Sequence, residues 1–509
     1  MAPDARGTRP DEASQAVLEL VRTLATELSP RLDVRQVSLD SPLSEELGLD
    51  SLGRVELMSR LEHTFGVALP ESTLFGAETP RDLVLALAHA PRGAAVALQP
   101  APLPEASAAG FPTQARTLVE ALAWHVQAHA DRPHLYVLEE RGPHVIDYGT
   151  LWRNALRAAE GLRARDLIPG QRIGLMLPTS TAYFECFFGI LLAGGVPVPI
   201  YPPFRPAGLE DHLLRQAGIL ANAESPLLIA IPEAQRFARL LQARVASLHT
   251  VLAPAELQSN ASGRPATPTS DDMALVQYTS GSTGRPKGVV LTHANLLANV
   301  RAMGRVARVS PEDVFVSWLP LYHDMGLIGA WFGSMYHGIP LVVMPPTAFL
   351  ARPERWLWAI HQYHATLSAA PNFAYELCAR KIPDAAIAGL DLASWRMACN
   401  GSEPVSPDTL ERFAARFAPS GFRGEALAPV YGLAESAVGL AFTPPGRGPR
   451  IDRVRRGPLE RAGLAEPAAS DDSEAVRLVS CGEPLPGHQI RVVDEAGREL
   501  PERHVGRLE

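Results

Sequence analysis

A run of glycines and hydroxyl residues, Tyr278-Thr279-Ser280-Gly281-Ser282-Thr283-Gly284-Arg285-Pro286-Lys287-Gly288, is the segment best suited to handling phosphate. Small residues let backbone N–H groups approach phosphate oxygens, and the hydroxyls of Thr279, Ser280, Ser282 and Thr283 add donors. Lys287 adds a fixed positive charge. No Gly-Lys-Ser/Thr follows four spacer residues, so this is not a Walker A loop. By itself the run also fits a flexible surface loop. The second candidate is Ser51. The spacing predicts that a loop ends at Asp50 and that a helix begins at Ser51 or Leu52, with Val55, Met58, Leu61 and Phe65 as its apolar face. Free N–H groups and the helix dipole favour a phosphodiester at such a serine, although Asp-Ser can also be a plain helix cap. Other candidates are weaker. His361 and His364 lack a nearby carboxylate. Cys186, Cys378, Cys399 and Cys481 form no C-x-x-C pair and no zinc spacing, which fits buried thiols in a reducing cytosol.

The elements that must position these residues fall into three segments. Residues 13–90 are helical in pattern, with Val17, Val21, Leu24 and Leu28 on one face, Pro30 as a stop and Thr79-Pro80 as a start. Residues 91–116 are rich in Ala and Pro and read as a semi-extended linker. From Thr117 to Glu509 short apolar strands (Arg172–Leu177, Ala274–Tyr278, Leu341–Met344) alternate with amphipathic helices (Tyr183–Leu192, Trp356–Tyr363). This alternation predicts an α/β fold of layered sheets and helices. The N-terminal segment is acidic: residues 12–90 carry 13 acidic and 6 basic side chains, out of 55 and 47 in the chain. That predicts docking to basic patches on partner proteins, while a net charge of −8 argues against nucleic acid. The greasiest stretch, Phe187 to Ile200, is broken by glycines and prolines and is too short to span a bilayer. The first ten residues lack the apolar core of a signal peptide, so a cytoplasmic location is expected.

Gly48-Leu49-Asp50-Ser51-Leu52 resembles the phosphopantetheine attachment motif of acyl and peptidyl carrier proteins. The resemblance implies a four-helix carrier domain over 13–90 whose Ser51 receives 4′-phosphopantetheine from a phosphopantetheinyl transferase. The 278–288 run resembles the phosphate loop of adenylate-forming enzymes, a superfamily of acyl-CoA synthetases, luciferases and peptide-synthetase adenylation domains. Asn400-Gly401-Ser402-Glu403-Pro404 looks like their adenine-side segment, and Tyr431-Gly432-Leu433-Ala434-Glu435-Ser436 looks like the segment that stacks on adenine and presents a carboxylate to Mg²⁺. The resemblance thus implies ATP and Mg²⁺ as cofactors. It gives Thr279, Ser280, Gly281, Ser282, Thr283, Gly284, Lys287, Gly401, Ser402, Glu403, Tyr431 and Gly432 as nucleotide-binding residues, and Glu435 as the metal ligand. Amino-acid-activating members carry an ammonium-pairing aspartate where His323 aligns here. The run His323-Asp324-Met325-Gly326-Leu327-Ile328-Gly329 looks instead like fatty acyl-AMP ligases, as do Pro346–Trp356 and Ala370–Cys378. Phe349, Phe373 and Tyr375 either fill core or line an acyl tunnel. Residues 450–468 look like an extra segment that disfavours CoA as acceptor in those ligases; by composition alone, 450–475 is a charged surface loop.

Together these imply activation of a fatty acid to acyl-AMP, with Lys287, His323 and Glu435 as catalytic residues. The acyl group then passes to a pantetheine thiol on this chain or on a partner carrier, polyketide or peptide synthase module. A tethered thiol is present at high effective concentration. The alternatives are an acyl-CoA synthetase, or a carrier module displaying an acyl group on Ser51 beside an inactive scaffold. In the family a hinge and a small C-terminal subdomain with a catalytic lysine should follow the point where this sequence stops, so the chain as given is expected to turn over poorly.

Overall fold

The computed structural model describes residues 10–28, 37–43, 46–47, 49, 51–67, 69, 73, 76–90, 100–105, 110–139, 142–203, 209–259, 263–279 and 286–509. The loop residues Ser280, Gly281, Ser282, Thr283 and Gly284, with Gly48, Asp50 and half of the expected linker, lie outside them.

In the N-terminal region, helices α1 (Pro10–Leu28), α2 (Ser51–Phe65) and α3 (Pro80–His89) are described. Their apolar faces meet in one small core: Val17, Val21 and Leu24 from α1, Met58, Leu61 and Phe65 from α2, Leu83 and Leu87 from α3. Thr79 and Pro80 start α3 as expected. The Thr79 hydroxyl accepts from the Asp82 N–H, and the Asp82 carboxylate accepts from the Thr79 N–H at 2.9 Å, a reciprocal capping box.

The body begins with α4 (Leu118–His129), the hairpin β1 (Pro133–Glu139) and β2 (Gly142–Asp147), and α5 (Tyr148–Arg163). Strands β3 (Arg172–Met176), β4 (Val196–Pro199), β5 (Leu227–Ala230) and β6 (Thr250–Leu252) follow, with α6 (Thr181–Ala193) and α7 (Leu209–Asn222) between them. They form a parallel sheet in the order β4-β3-β5-β6. The antiparallel hairpin β7 (Met273–Thr279) and β8 (Lys287–Thr292) leads into α8 (His293–Ala307). Next come β9 (Phe315–Ser317), a π-helix (Met325–Phe332), α9 (Gly333–His337), β10 (Leu341–Val343), α10 (Pro346–Ala351), α11 (Glu354–Gln362) and β11 (Leu367–Ala370). Then α12 (Asn372–Lys381), β12 (Met397–Asn400), α13 (Pro407–Phe417), β13 (Leu427–Gly432) and β14 (Gly439–Phe442) complete the main layer.

The larger sheet has nine strands, with β13, β12, β11, β9, β10 and β1 parallel as a block and antiparallel strands at both edges. The inner strands are short, almost wholly buried apolar runs such as Leu341-Val342-Val343, as expected for parallel strands covered on both faces. One continuous core draws on both sheets and on α5 and α6, with Phe184, Phe187, Phe188 and Trp331 in mutual edge contacts.

Residues 450–475 do not form the charged loop that composition suggests. Strand β15 (Ile451–Val454) pairs with β16 (Val476–Val479), a helix (Arg456–Ala462) lies between them, and Val454 is buried. Arg477 of β16 bonds Asp408 at 2.7 Å and also Glu411, fixing the hairpin to α13. The N-terminal region touches the body at α10. Leu350 and Ala351 pack on its core, and Arg352 donates to Glu62 of α2, whose carboxylate also accepts from the Leu69 N–H at 2.7 Å. Among the described residues no helix is long and apolar enough to cross a membrane.

Candidate active site

Parallel strands β9, β11, β12 and β13 all point their carboxyl ends the same way, and the segments leaving those ends are where open α/β sheets place ligands. Strand β12 delivers Gly401 and Ser402. Ser402 takes the left-handed conformation (φ +69°) and turns its Oγ toward Met325 Sδ at 3.7 Å. Strand β13 delivers Tyr431 and Gly432. The Tyr431 ring is 38% exposed, a large surface for an unpaired aromatic. Gly432 is required here, because a Cβ would fall 1.6 Å from the Val438 carbonyl oxygen. A single 3₁₀ turn, Ala434–Ser436, then presents Glu435, whose exposed carboxylate has no partner among the described residues.

That turn packs against β8, which opens with Lys287. Thr279 and Lys287 are cross-strand partners where the β7–β8 hairpin leads into its loop. The Lys287 ammonium is exposed and likewise uncommitted among the described residues. Holding two opposite, unpaired charges on adjacent elements has no structural return, whereas a polyphosphate with a cation would use both.

Between the two segments lies the turn leading into the π-helix. Gln277 of β7 donates to the Tyr322 carbonyl at 2.8 Å and Tyr183 of α6 to the Leu321 carbonyl at 2.6 Å, so the turn is anchored from two sides. His323 Nδ1 lies 2.7 Å from Asp324 Oδ1, which also accepts from the Met325 N–H at 2.7 Å. Burial pulls the imidazole pKa down, but the Asp324 hydrogen bond and charge pull it up and prevail, so it stands above the ordinary histidine value. A π-helix of eight residues is rare, and such wide turns recur at functional sites. Gly326 makes this one possible: a Cβ there would be 2.4 Å from the Pro320 carbonyl oxygen.

Two cavities meet at His323 and Asp324. One, about 250 Å³, is lined by Tyr201, Arg215, Tyr278, Thr279 and Ala434. The other, about 210 Å³, opens beside Ser402 and Tyr431 and runs inward between α8 and the sheet, past Met303, Ala307, Met397 and Leu367. The second is overwhelmingly apolar. A charged, hydrogen-bonding junction thus joins a more polar chamber, which holds Arg215, Gln216, Gln277 and Thr279, to a greasier one, which is the arrangement an amphipathic acid needs.

Residues 122–509 match the family model described as AMP-binding enzyme. The chain belongs to the AMP-binding enzyme family. Residues 16–87 match the model of the phosphopantetheine attachment site, so a carrier region precedes the AMP-binding region. It is similar to the medium-chain-fatty-acid–[acyl-carrier-protein] ligase TtuA of Teredinibacter turnerae (45% identity over 228 residues, 45% of this chain and 35% of the relative). It is also similar to JamA, of the same description, from Moorena producens (33% identity, 74% of this chain and 65% of the relative). Among solved structures, one from studies of fatty acyl-adenylate ligases of E. coli and L. pneumophila superposes with a TM-score of 0.73 at 34% identity, covering 77% of this chain and 71% of that one. The chain spans less than two thirds of the length of these two curated relatives.

Within this AMP-binding enzyme, the expected site residues are not all equivalent. His323, Ser402, Tyr431 and Gly432 line the apolar cavity, and Thr279 and His323 line the polar one. Glu403 is already engaged, accepting from the Phe373 N–H at the start of α12 at 2.6 Å. Ser51 is the first residue of α2, as expected; its side chain lies outside the described residues. Phe349 and Tyr375 are core: Phe349 stacks on Trp318 at 3.9 Å, and the Tyr375 hydroxyl donates to the Cys399 carbonyl at 2.8 Å. Phe373 is 43% exposed, and none of the three lines the apolar cavity. Sequence reasoning missed the wall formed by α8, where Val300, Met303, Gly304 and Ala307 face the cavity. A glycine inside that helix was the available signal, since Gly304 costs helix stability and needs a packing reason. His361 accepts from the Asp391 N–H at 3.1 Å, consistent with a structural role. The cysteine thiols are free; burial pushes Cys186 and Cys399 up to about 12, which makes them inert.

Proposed function

We propose that this chain joins a fatty acid to AMP and hands the acyl group to a pantetheine thiol, on Ser51 or on another carrier protein. The observation that carries this reading is the pair of cavities sharing His323 and Asp324, one apolar and one polar. The named activity of TtuA and JamA supports it. A carboxylate oxygen of the acid attacks the α-phosphorus of ATP, the bond to the β-phosphate oxygen breaks, and pyrophosphate leaves. The thiol sulfur then attacks the acyl carbon, and AMP leaves with the electron pair. Both steps need positioning and charge neutralisation more than covalent help.

Protonated His323, kept so by Asp324, holds the fatty carboxylate. Lys287 and the loop from Thr279 through Gly284 hold the departing phosphates. Tyr431 stacks on adenine, while Gly401, Ser402 and Gly432 leave room around the nucleotide and Glu403 fixes that segment to α12. Glu435 suits Mg²⁺, being an exposed, uncommitted carboxylate beside β8. Bound there, Mg²⁺ would supply charge neutralisation on the phosphates. At the head of α2, Ser51 sits where backbone N–H groups favour the phosphodiester that a phosphopantetheinyl transferase installs. The β15–β16 hairpin, fastened to α13, is the element assigned to selection against CoA.

The test uses chain converted by a phosphopantetheinyl transferase, then given ATP, Mg²⁺, fatty acids and free CoA, with intact-mass and small-molecule mass spectrometry. An acyl thioester on Ser51, absent from Ser51→Ala, is expected. Acyl-CoA as the sole thioester product would contradict the carrier-loading reading.

A further inference from the structure

The apolar cavity runs the length of the parallel strands. Ser402 and Tyr431 stand at their carboxyl ends, whereas Phe315, Leu367 and Met397 are the first residues of β9, β11 and β12. The π-helix and α9 run alongside, so the stretch from Asp324 to His337 carries the wall about 15–20 Å inward. At that far end the lining changes character. Ser334 and His337, both from α9, line the cavity and are only 1% and 8% exposed. The Ser334 hydroxyl has no hydrogen-bond partner among the described residues, and of the two His337 ring nitrogens only one is within reach of an acceptor, the Val300 carbonyl, which leaves the other bare.

The His337 ring is held in place from three sides. Phe111 and Tyr336 meet it edge-on at 5.1 and 5.0 Å. Gly304 of α8 leaves the space for Nε2, because a Cβ there would be 1.9 Å away. Burial takes its pKa down to about 4, against weaker upward pulls from the Val300 carbonyl and Asp313, so at neutral pH the ring has one donor nitrogen and one acceptor nitrogen. Buried polar atoms without partners are costly, and in native structures each calls for a cause, such as strain, a catalytic role or a bound molecule. A methyl-ended acyl chain would leave the Ser334 hydroxyl and the bare His337 nitrogen unsatisfied.

We propose that the acid bound here carries a hydroxyl at or near the end of its chain, received by Ser334 and His337. The hydroxyl donates to the bare imidazole nitrogen and accepts from the Ser334 O–H. Among the described residues no lysine or arginine lines the cavity, which disfavours a second carboxylate. This rests on the fatty-acid-activating reading above and narrows its substrate class.

The test is equilibrium binding of non-hydrolysable acyl-sulfamoyl adenosines to the full chain, in matched pairs ending in CH₃ or CH₂OH across medium and long chain lengths. At the best length the hydroxyl form should bind about tenfold tighter or more. That ratio should fall toward one in His337→Phe and in Ser334→Ala, the latter removing one atom and sparing the fold. Equal or tighter binding of the methyl form at every length, as a trapped water would produce, overturns the inference and leaves the adenylating reading standing. Binding of neither form at any length contradicts the adenylating reading, and this inference with it.

Discussion

At the scale of single residues, the proposed chemistry turns on His323 and Asp324. The carboxylate 2.7 Å from Nδ1 outweighs the desolvation of an imidazole that is still half exposed and keeps the ring charged to higher pH than usual. The pair's contribution to stability is therefore complete below the ordinary histidine pKa of about 6.5 and is lost as pH rises through the raised folded value. Fatty-acid affinity should follow the same course, weakening as pH climbs through that raised pKa. In Asp324→Asn the weakening should move to lower pH, which titration of a fluorescent fatty acid across pH would register; an unmoved profile would remove His323 from carboxylate binding. Lys287 has a different task. As the uncommitted cation at the base of the phosphate loop, its replacement by Ala should lower acyl-AMP formation by about 10²–10³-fold while leaving the melting temperature unchanged, read by pyrophosphate release and thermal melts on the same samples.

At the scale of elements, the site depends on two backbones that only glycine permits. Gly326→Ala would drive a methyl group into the Pro320 carbonyl and Gly432→Ala one into Val438, so each should cost about 1–3 kcal/mol and lower the apparent melting temperature by a few degrees. Circular dichroism melts would show this, and adenylation should fall with it. Short runs with fixed neighbours made parts of the candidate site legible in the sequence: Thr279 and Lys287 pair at the described ends of β7 and β8, Gly401 and Ser402 leave β12, and Tyr431 and Gly432 end β13. The strand at 172–177 and the helix at 183–192 were also legible, as unbroken apolar runs, although the helix is buried on nearly every side rather than amphipathic. The π-helix was not, because i→i+5 bonding leaves no distinct spacing signal in eight nearly all-apolar residues. The wall of α8 was missed for a related reason: Val300, Met303 and Ala307 read as ordinary core until the fold shows a cavity against them. Charge-rich 450–475 looked like a loop because its pairing partner, β16, lies across a helix from β15, and composition cannot report a long-range pairing.

At the scale of the whole molecule, the described residues of two folded regions meet at the Arg352–Glu62 ion pair and a small apolar contact. Arg352 and Glu62 are 14% and 21% exposed in their side chains, so the pair is enclosed enough to matter, and Leu350 belongs to the rim of both cores. Arg352→Glu should therefore free the carrier region and speed trypsin cleavage between residues 91 and 116, whereas the exchanged pair Arg352→Glu with Glu62→Arg should restore resistance. Equal cleavage in all forms would mean that this contact does not hold the regions together. The central claim, that the body makes acyl-AMP from a fatty acid, has a direct test: mass spectrometry of this chain incubated with ATP, Mg²⁺ and a mixture of fatty acids. An acyl-AMP that appears with the chain and vanishes with Lys287→Ala is the predicted result; no acyl-AMP from any fatty acid, with nucleotide still bound, would contradict it.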